Sequence, residues 1–194
     1  MIELQGVTKR FEGKTILDGA NFAIESPGKT AILGASGIGK TTLARMLLGL
    51  DRDYAGKITG VPQKKACVFQ EDRLIKHLTA EQNIRFVRPD MDEAMLREGF
   101  ERLGMAGEMK TPVTELSGGM KRRVSILRAL LSGAELVIMD EPLKGLDEVA
   151  AHRTAEYCRE QLAGRTLLYI THAMEELEWM GIKRTIRLEQ GKMQ

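Results

Sequence analysis

The sequence predicts an α/β fold: a mostly parallel sheet core, a small N-terminal antiparallel β subdomain and an inserted α-helical subdomain. Three observations predict it. Short apolar runs at Thr30–Leu33, Leu136–Met139 and Thr166–Ile170 have the length and content of strands buried on both faces. Segments of helical period follow the first two, and strands alternating with helices give a parallel sheet covered on both sides. From Leu78 to Leu131 the pattern is helical with no strand signal, so residues from about 74 to 131 read as an insert in the core.

In chain order, Ile2–Val7 alternates apolar and polar, as a half-buried strand should, and Thr15–Ile24 is a second candidate strand. Pro27-Gly28 marks a turn into the first buried run. After a glycine-rich loop, Leu43, Met46, Leu47 and Leu50 recur at helical spacing on one face. Lys57–Thr59 and Ala66–Phe69 read as short strands. Asp90 or Asp92 can cap the helix carrying Met95, Leu96 and Phe100. A second insert helix presents Val124, Leu127 and Leu131; a later one presents Ala151, Ala155, Cys158 and Leu162. Met174, Leu177, Trp179 and Met180 form a short amphipathic helix, with Trp179 expected in the core. No repeat or linker divides the chain, so residues 1–194 read as a single domain.

Composition narrows the function. The chain is 43% hydrophobic and 29% charged, an ordinary globular profile that excludes disorder. With 29 basic and 27 acidic residues the net charge is +2, too little for a general nucleic-acid field. Cys67 and Cys158 are far apart with no zinc-type partner, so they read as free thiols. No apolar stretch reaches the roughly 18 residues of a membrane span, and the N-terminus does not resemble a signal peptide. The expected location is therefore cytoplasmic.

Gly34-Ala35-Ser36-Gly37-Ile38-Gly39-Lys40-Thr41 satisfies G-x-x-x-x-G-K-[ST] at every position. Backbone N–H groups must wrap a polyphosphate, and glycine lets the chain come that close. The helix that follows adds its positive end, Lys40 a mobile cation, and Thr41 a hydroxyl for Mg²⁺. The motif sits after a buried strand and before an amphipathic helix, which identifies a P-loop NTPase. Leu136-Val137-Ile138-Met139-Asp140-Glu141 is a strand ending in two carboxylates: Asp140 to serve the metal, Glu141 to polarise a water. Ser117-Gly118-Gly119 opens a helix and is a second anion-binding device. One nucleotide cannot easily use both cradles, which points to a second molecule.

Taken together these residues resemble the ATP-binding cassette (ABC) ATPases, the nucleotide-binding subunits of ABC transporters. The P-loop is similar to their Walker A, Leu116–Met120 to their LSGGQ signature, and Leu136–Glu141 to their Walker B with its glutamate. Gln70 matches the Q-loop, Gly145-Leu146-Asp147 the D-loop and His172 the switch histidine. Phe11 stands where the family stacks an aromatic ring on adenine. The resemblance implies nucleotide contacts from Phe11, Gly34, Ala35, Ser36, Gly37, Ile38, Gly39, Lys40, Thr41, Thr42, Ser117, Gly118, Gly119 and Asp147. It implies Mg²⁺ held through Thr41, Gln70 and Asp140, and catalysis by Glu141 with His172 and Gln70.

Departures from the pattern are few. Met120 replaces the signature glutamine, and Gln82 replaces a frequent glutamate. The stretch from Leu50 to Val68 is short, implying a trimmed β subdomain, and the chain ends soon after Gly191, implying no regulatory domain beyond it. The family implies a homodimer closing head-to-tail on two ATP and driving a separate integral membrane permease. It would sit peripherally on the cytoplasmic face of the cell membrane, with no nucleic acid involved. Val68–Leu74 together with Met120 is similar to the nitrate and sulfonate importer branch. The alternative is a non-transport ABC ATPase acting on nucleic acid or ribosomes, though such relatives carry tandem cassettes, coiled coils or basic arms. A small-molecule kinase would leave Ser117 and His172 without use.

Other features carry blander expectations. Lys121-Arg122-Arg123 reads as a solvated face. His77 and His152 read as surface residues. Met91, Met95, Met105 and Met109 read as adaptable packing in the insert, the region that in this family meets the membrane partner.

Overall fold

The computed structural model describes residues 1–189 and 191–193. Strands β1 (Ile2–Phe11) and β2 (Lys14–Ile24) form an antiparallel hairpin, and β4 (Ala55–Thr59) pairs with the far edge of β1, giving a three-stranded sheet ordered β2-β1-β4. The alternation of β1 slips between Leu4 and Val7, where Gly6 adopts a left-handed conformation and the register shifts. The hairpin ends at Glu12 and Gly13, both with positive φ.

The main sheet contains β3 (Gly28–Leu33), β5 (Lys65–Val68), β6 (Leu136–Asp140), β7 (Thr166–Ile170), β8 (Arg184–Glu189) and β9 (Lys192–Met193). Its order is β5-β6-β7-β3-β8-β9; every pair is parallel except the last. Every residue of β6 and β7 is buried, as their uninterrupted apolar runs predict. Successive side chains go to opposite faces. Leu136 and Ile138 join Leu168 and Ile170 in a core shared with the β1–β2 hairpin and helix α1 (Lys40–Leu48). Val137 and Met139 join Leu167 and Tyr169 in a second core under the helical insert.

That insert comprises α2 (Ala80–Arg85), α3 (Glu93–Arg102), a 3₁₀ turn (Val113–Glu115) and α4 (Gly118–Leu131). Each helix has a side-chain cap. Thr79 and Gln82 form a capping box on α2, Asp92 caps α3, and Ser117 caps α4. The chain then runs through β6 to α5 (Glu148–Gln161) and, after β7, to α6 (Glu175–Trp179).

Four expectations are corrected. Helix α1 stops at Leu48 because Gly49 takes the left-handed cap, so Leu50 leaves the apolar face and is 56% exposed. Trp179 is half-buried, its ring 5.2 Å from that of His152 on the surface of α5. Met95 is exposed, whereas Met91, Met105 and Met109 are packed. Lys121-Arg122-Arg123 is not a solvated face: Arg122 is buried, and Arg123 donates to the carbonyls of Leu103 and Gly119.

Candidate active site

The P-loop leaves the C-terminal end of β3 near the middle of the sheet, beside the ends of β6 and β7, where parallel α/β sheets bind ligands. Its glycines are required for definite reasons. A Cβ on Gly34, at φ +154°, would lie 2.6 Å from the Leu188 carbonyl oxygen. One on Gly39, at φ +120°, would lie 2.4 Å from Ile16 Cγ2. Beside Gly37 the space is open. Gly39 caps α1 without any side-chain hydrogen bond, which leaves that helix's first N–H groups facing the loop.

Lys40 is buried and its Nζ donates to the Gly34 carbonyl at 2.7 Å and to that of Ala35 at 2.9 Å. The loop thus curls around its own cation. Burial lowers the Lys40 pKa, against the opposing pull of Glu141 and Asp140. The Thr41 hydroxyl donates to Asp140 Oδ2. Burial is the largest influence on Asp140 and raises its pKa, and the Thr41 hydrogen bond acts the other way.

Glu141 adopts a left-handed backbone, φ +48°, uncommon for a residue with a side chain. Its N–H donates to the Ile170 carbonyl at 2.8 Å, which fixes it to the end of β7. Oε1 lies 3.1 Å from His172 Nδ1, and Oε2 accepts from Lys144 Nζ at 2.7 Å. Burial is again the largest influence and pushes the carboxyl pKa up. Lys144 and His172 together outweigh it, so Glu141 is held below the ordinary range. It therefore stands as a carboxylate, able to accept a proton.

Ile16, Ser36, Gly37, Gly39, Lys40, Thr41, Thr42, Gln70, Asp140 and Glu141 line one cavity of about 300 Å³. Gly34, Ala35, Ile38 and His172 line a second, of about 590 Å³, across the P-loop. Ser117, Gly118, Gly119, Asp147 and Phe11 line neither. Ser117 Oγ accepts from Met120 N at 3.2 Å, and Asp147 caps α5 by accepting from Ala150 N at 2.9 Å. A Cβ on Gly119 would lie 3.4 Å from Leu146, so the segments carrying Ser117 and Asp147 are neighbours. Phe11 is 62% exposed at the end of the hairpin. Sequence reasoning missed Ile16 and Lys144. Lys144, three residues after Glu141, could have been read as a partner; Ile16 depends on tertiary placement.

The family described as ABC transporter matches this chain over residues 17–144. The chain belongs to the ABC transporter family. An aliphatic sulfonates import ATP-binding protein from Pseudomonas syringae pv. syringae is 35% identical over 180 residues, covering 91% of this chain and 76% of the relative. A Nod factor export ATP-binding protein I from Rhizobium johnstonii is 36% identical over 209 residues, covering 98% of this chain and 67% of the relative. Among solved structures, a bacterial Atm1-family ABC exporter with ATP bound has TM-score 0.85 at 24% identity, over 99% of this chain and 37% of the exporter's; at that identity it shows the fold alone. The chain is an ABC ATPase subunit of a transporter, binding and hydrolysing ATP. No described helix is long and apolar enough to cross a membrane.

Proposed function

We propose that this ABC ATPase powers an importer. Two copies would close head-to-tail on two MgATP and drive a separate integral membrane permease, against which the subunit sits on the cytoplasmic face. The observation that carries the dimer is that the chain has two helix N-termini suited to phosphate, of which only one is furnished with catalytic groups. The Ser117-Gly118-Gly119 cradle lines neither cavity beside the P-loop and would close on the partner's ATP. The whole of residues 1–194 would act as one ABC domain, with the insert at about 74–131 facing the permease. A cleft of about 500 Å³ between the loop after Gln70 and that insert, lined by Glu71, Asp72, Arg73, Lys76, Thr114 and Lys121 among others, gives a partner segment a place to dock. The sulfonate-import relative favours import, and the Nod factor export relative favours the second reading, export.

In this reading the backbone N–H groups of the P-loop and of the first turn of α1 bind the phosphates together with Lys40, and Phe11 stacks on adenine. The hard oxygen donors Thr41 and Asp140, already adjacent, with Gln70 on the same cavity, fit Mg²⁺. When bound, the ion would neutralise charge developing on the phosphate oxygens. Glu141 takes the proton of a water as its oxygen attacks the γ-phosphorus and the bond to ADP breaks. His172 holds Glu141 from the phosphate edge, and Asp147 lies near the joint. Release of the γ-phosphate then weakens the closed pair.

Glu141→Gln tests this reading. It should lower turnover by about 10²–10⁴-fold, the usual contribution of a general base, while keeping ATP affinity. With MgATP it should elute as a dimer by light scattering behind a sizing column, and as a monomer with ADP. A monomer in both states would refute the shared site. Identifying the permease that co-purifies with the subunit, and the direction in which it transports, separates import from export.

A further inference from the structure

Among the described residues, the side-chain hydrogen bonds that hold the loop carrying Gln70 come from one helix, the one that begins at the Ser117 cradle. The ladder of β5 to β6 ends at Val68. Just beyond it, Arg122 donates from Nη1 to the Phe69 carbonyl at 2.5 Å and from Nη2 to the Gln70 carbonyl, and Nη1 lies 3.4 Å from the Asp72 carboxylate. Farther along α4, Arg128 donates to the carbonyls of Asp72 at 3.3 Å and Arg73 at 3.1 Å. Four carbonyls of one short loop are thus bonded from one helix. Arg73 closes the loop on itself, with positive φ and its guanidinium 3.7 Å above the Phe69 ring.

The chemistry of the clamp is specific. A guanidinium is a planar fork, so two bonds to successive carbonyls fix both the place and the tilt of the peptide between them. Arg122 is only 7% exposed, and a buried charge is tolerated when its donors are used. Arg122 lies within the second turn of α4, whose first turn contains Gly118, Gly119 and Met120. Gln70 meanwhile lines the P-loop cavity. The two phosphate-facing elements are therefore joined through one side chain.

We propose that Arg122 is a positioning residue that ties Gln70 to the Ser117 cradle, so that ATP on the P-loop of one copy adjusts the cradle its partner needs. Arg128 supports the same loop farther from Gln70. This inference rests on the roles of Gln70 and Ser117 proposed above. Because coupling between sites is reciprocal, closing the cradle would likewise steady Gln70.

Hydrogen exchange tests it in the Glu141→Gln protein, where ATP is not consumed, at dilution that keeps it monomeric. MgATP should slow exchange in residues 69–73 and in 117–120. Adding Arg122→Gln should preserve the change at 69–73, abolish that at 117–120, and leave MgATP affinity within about twofold. In the otherwise unmodified chain, Arg122→Gln should lower kcat about tenfold with KM unchanged, a typical effect of losing coupling between sites. Arg122→Lys, keeping charge but not the fork, should restore only part of it. If Arg122→Gln does not fold, the half-buried Arg128→Gln carries the test, with a smaller loss of the same kind. Retained protection at 117–120 with full kcat overturns the inference alone. A parent that binds MgATP with no change at 69–73 overturns the Gln70 reading, and this inference with it.

Discussion

Helices α1 and α4 both begin on glycine-bearing segments, yet their N-termini differ in a way that decides what each can do. At α1 the cap is Gly39, no side chain bonds the first turn, and Lys40, Thr41, Asp140, Glu141 and Gln70 surround the opening. At α4 the cap is Ser117, whose hydroxyl already accepts from Met120, and it lies outside both cavities that hold those groups. Both ends carry the partial positive charge of a helix dipole. The comparison teaches that the dipole alone does not make a site. Strained glycines, a buried lysine and two carboxylates make the first one, and the second needs a ligand brought by another molecule.

The largest break in this comparison should come from Lys40→Ala. Two charge-assisted hydrogen bonds to phosphate, each worth about 1.5–3 kcal/mol, would be lost, so MgATP affinity should fall by at least about a hundredfold. The carbonyls of Gly34 and Ala35 would also lose their donor. Calorimetry of MgATP binding decides it. Undiminished affinity would mean that Lys40 serves only its own loop.

Ser117→Arg should damage only the other side. Added to Glu141→Gln, it places a long side chain over the cradle, and the MgATP dimer should weaken by about a hundredfold or more, as when an interface centre is blocked. Because Ser117 lines neither P-loop cavity, it makes no contact with the ATP of its own chain, and monomer affinity for MgATP should stay within about twofold. Light scattering and calorimetry on the same preparation separate the two effects. A dimer that survives would reduce Ser117 to a helix cap.

How far sequence alone reached follows the same division. The parallel core was legible because β6 and β7 are each apolar at four of five positions and have helices on both sides in sequence. The P-loop was legible because its spacing is local, each residue acting within eight positions of the others. Neither the approach of Thr41 to Asp140 nor that of His172 to Glu141 has a local signature: the first is expected because a P-loop enzyme brings both groups to one Mg²⁺, the second only through resemblance. The burial of Arg122 escapes the sequence for that reason: a run of three basic residues at a helix start looks solvated until the fold brings the carbonyls of residues 69 and 70 to it. Leu50 was misplaced because a left-handed Gly49 ends the helix one residue before the periodicity does. Phe11 stayed on the hairpin end, clear of the cavity, so its role still stands on resemblance.

The smallest and sharpest test exchanges one glycine for alanine at each helix start. At Gly39 a Cβ would meet Ile16 Cγ2 at 2.4 Å with the backbone at φ +120°, so Gly39→Ala should destabilise the fold by about 1–3 kcal/mol. At Gly118 nothing lies within 4 Å and the residue is already in α4. Alanine there removes a flexible glycine from a helix, so the isolated chain should gain up to about 1 kcal/mol. Thermal melts of the two variants should therefore move in opposite directions. The gain at Gly118 carries a cost that the isolated chain does not reveal. If the open space beside Gly118 belongs to the partner's γ-phosphate, the more stable protein should form a weaker MgATP dimer in the Glu141→Gln background and hydrolyse ATP more slowly without it. A Gly118→Ala variant that melts higher and dimerises unchanged would show that this space is only solvent.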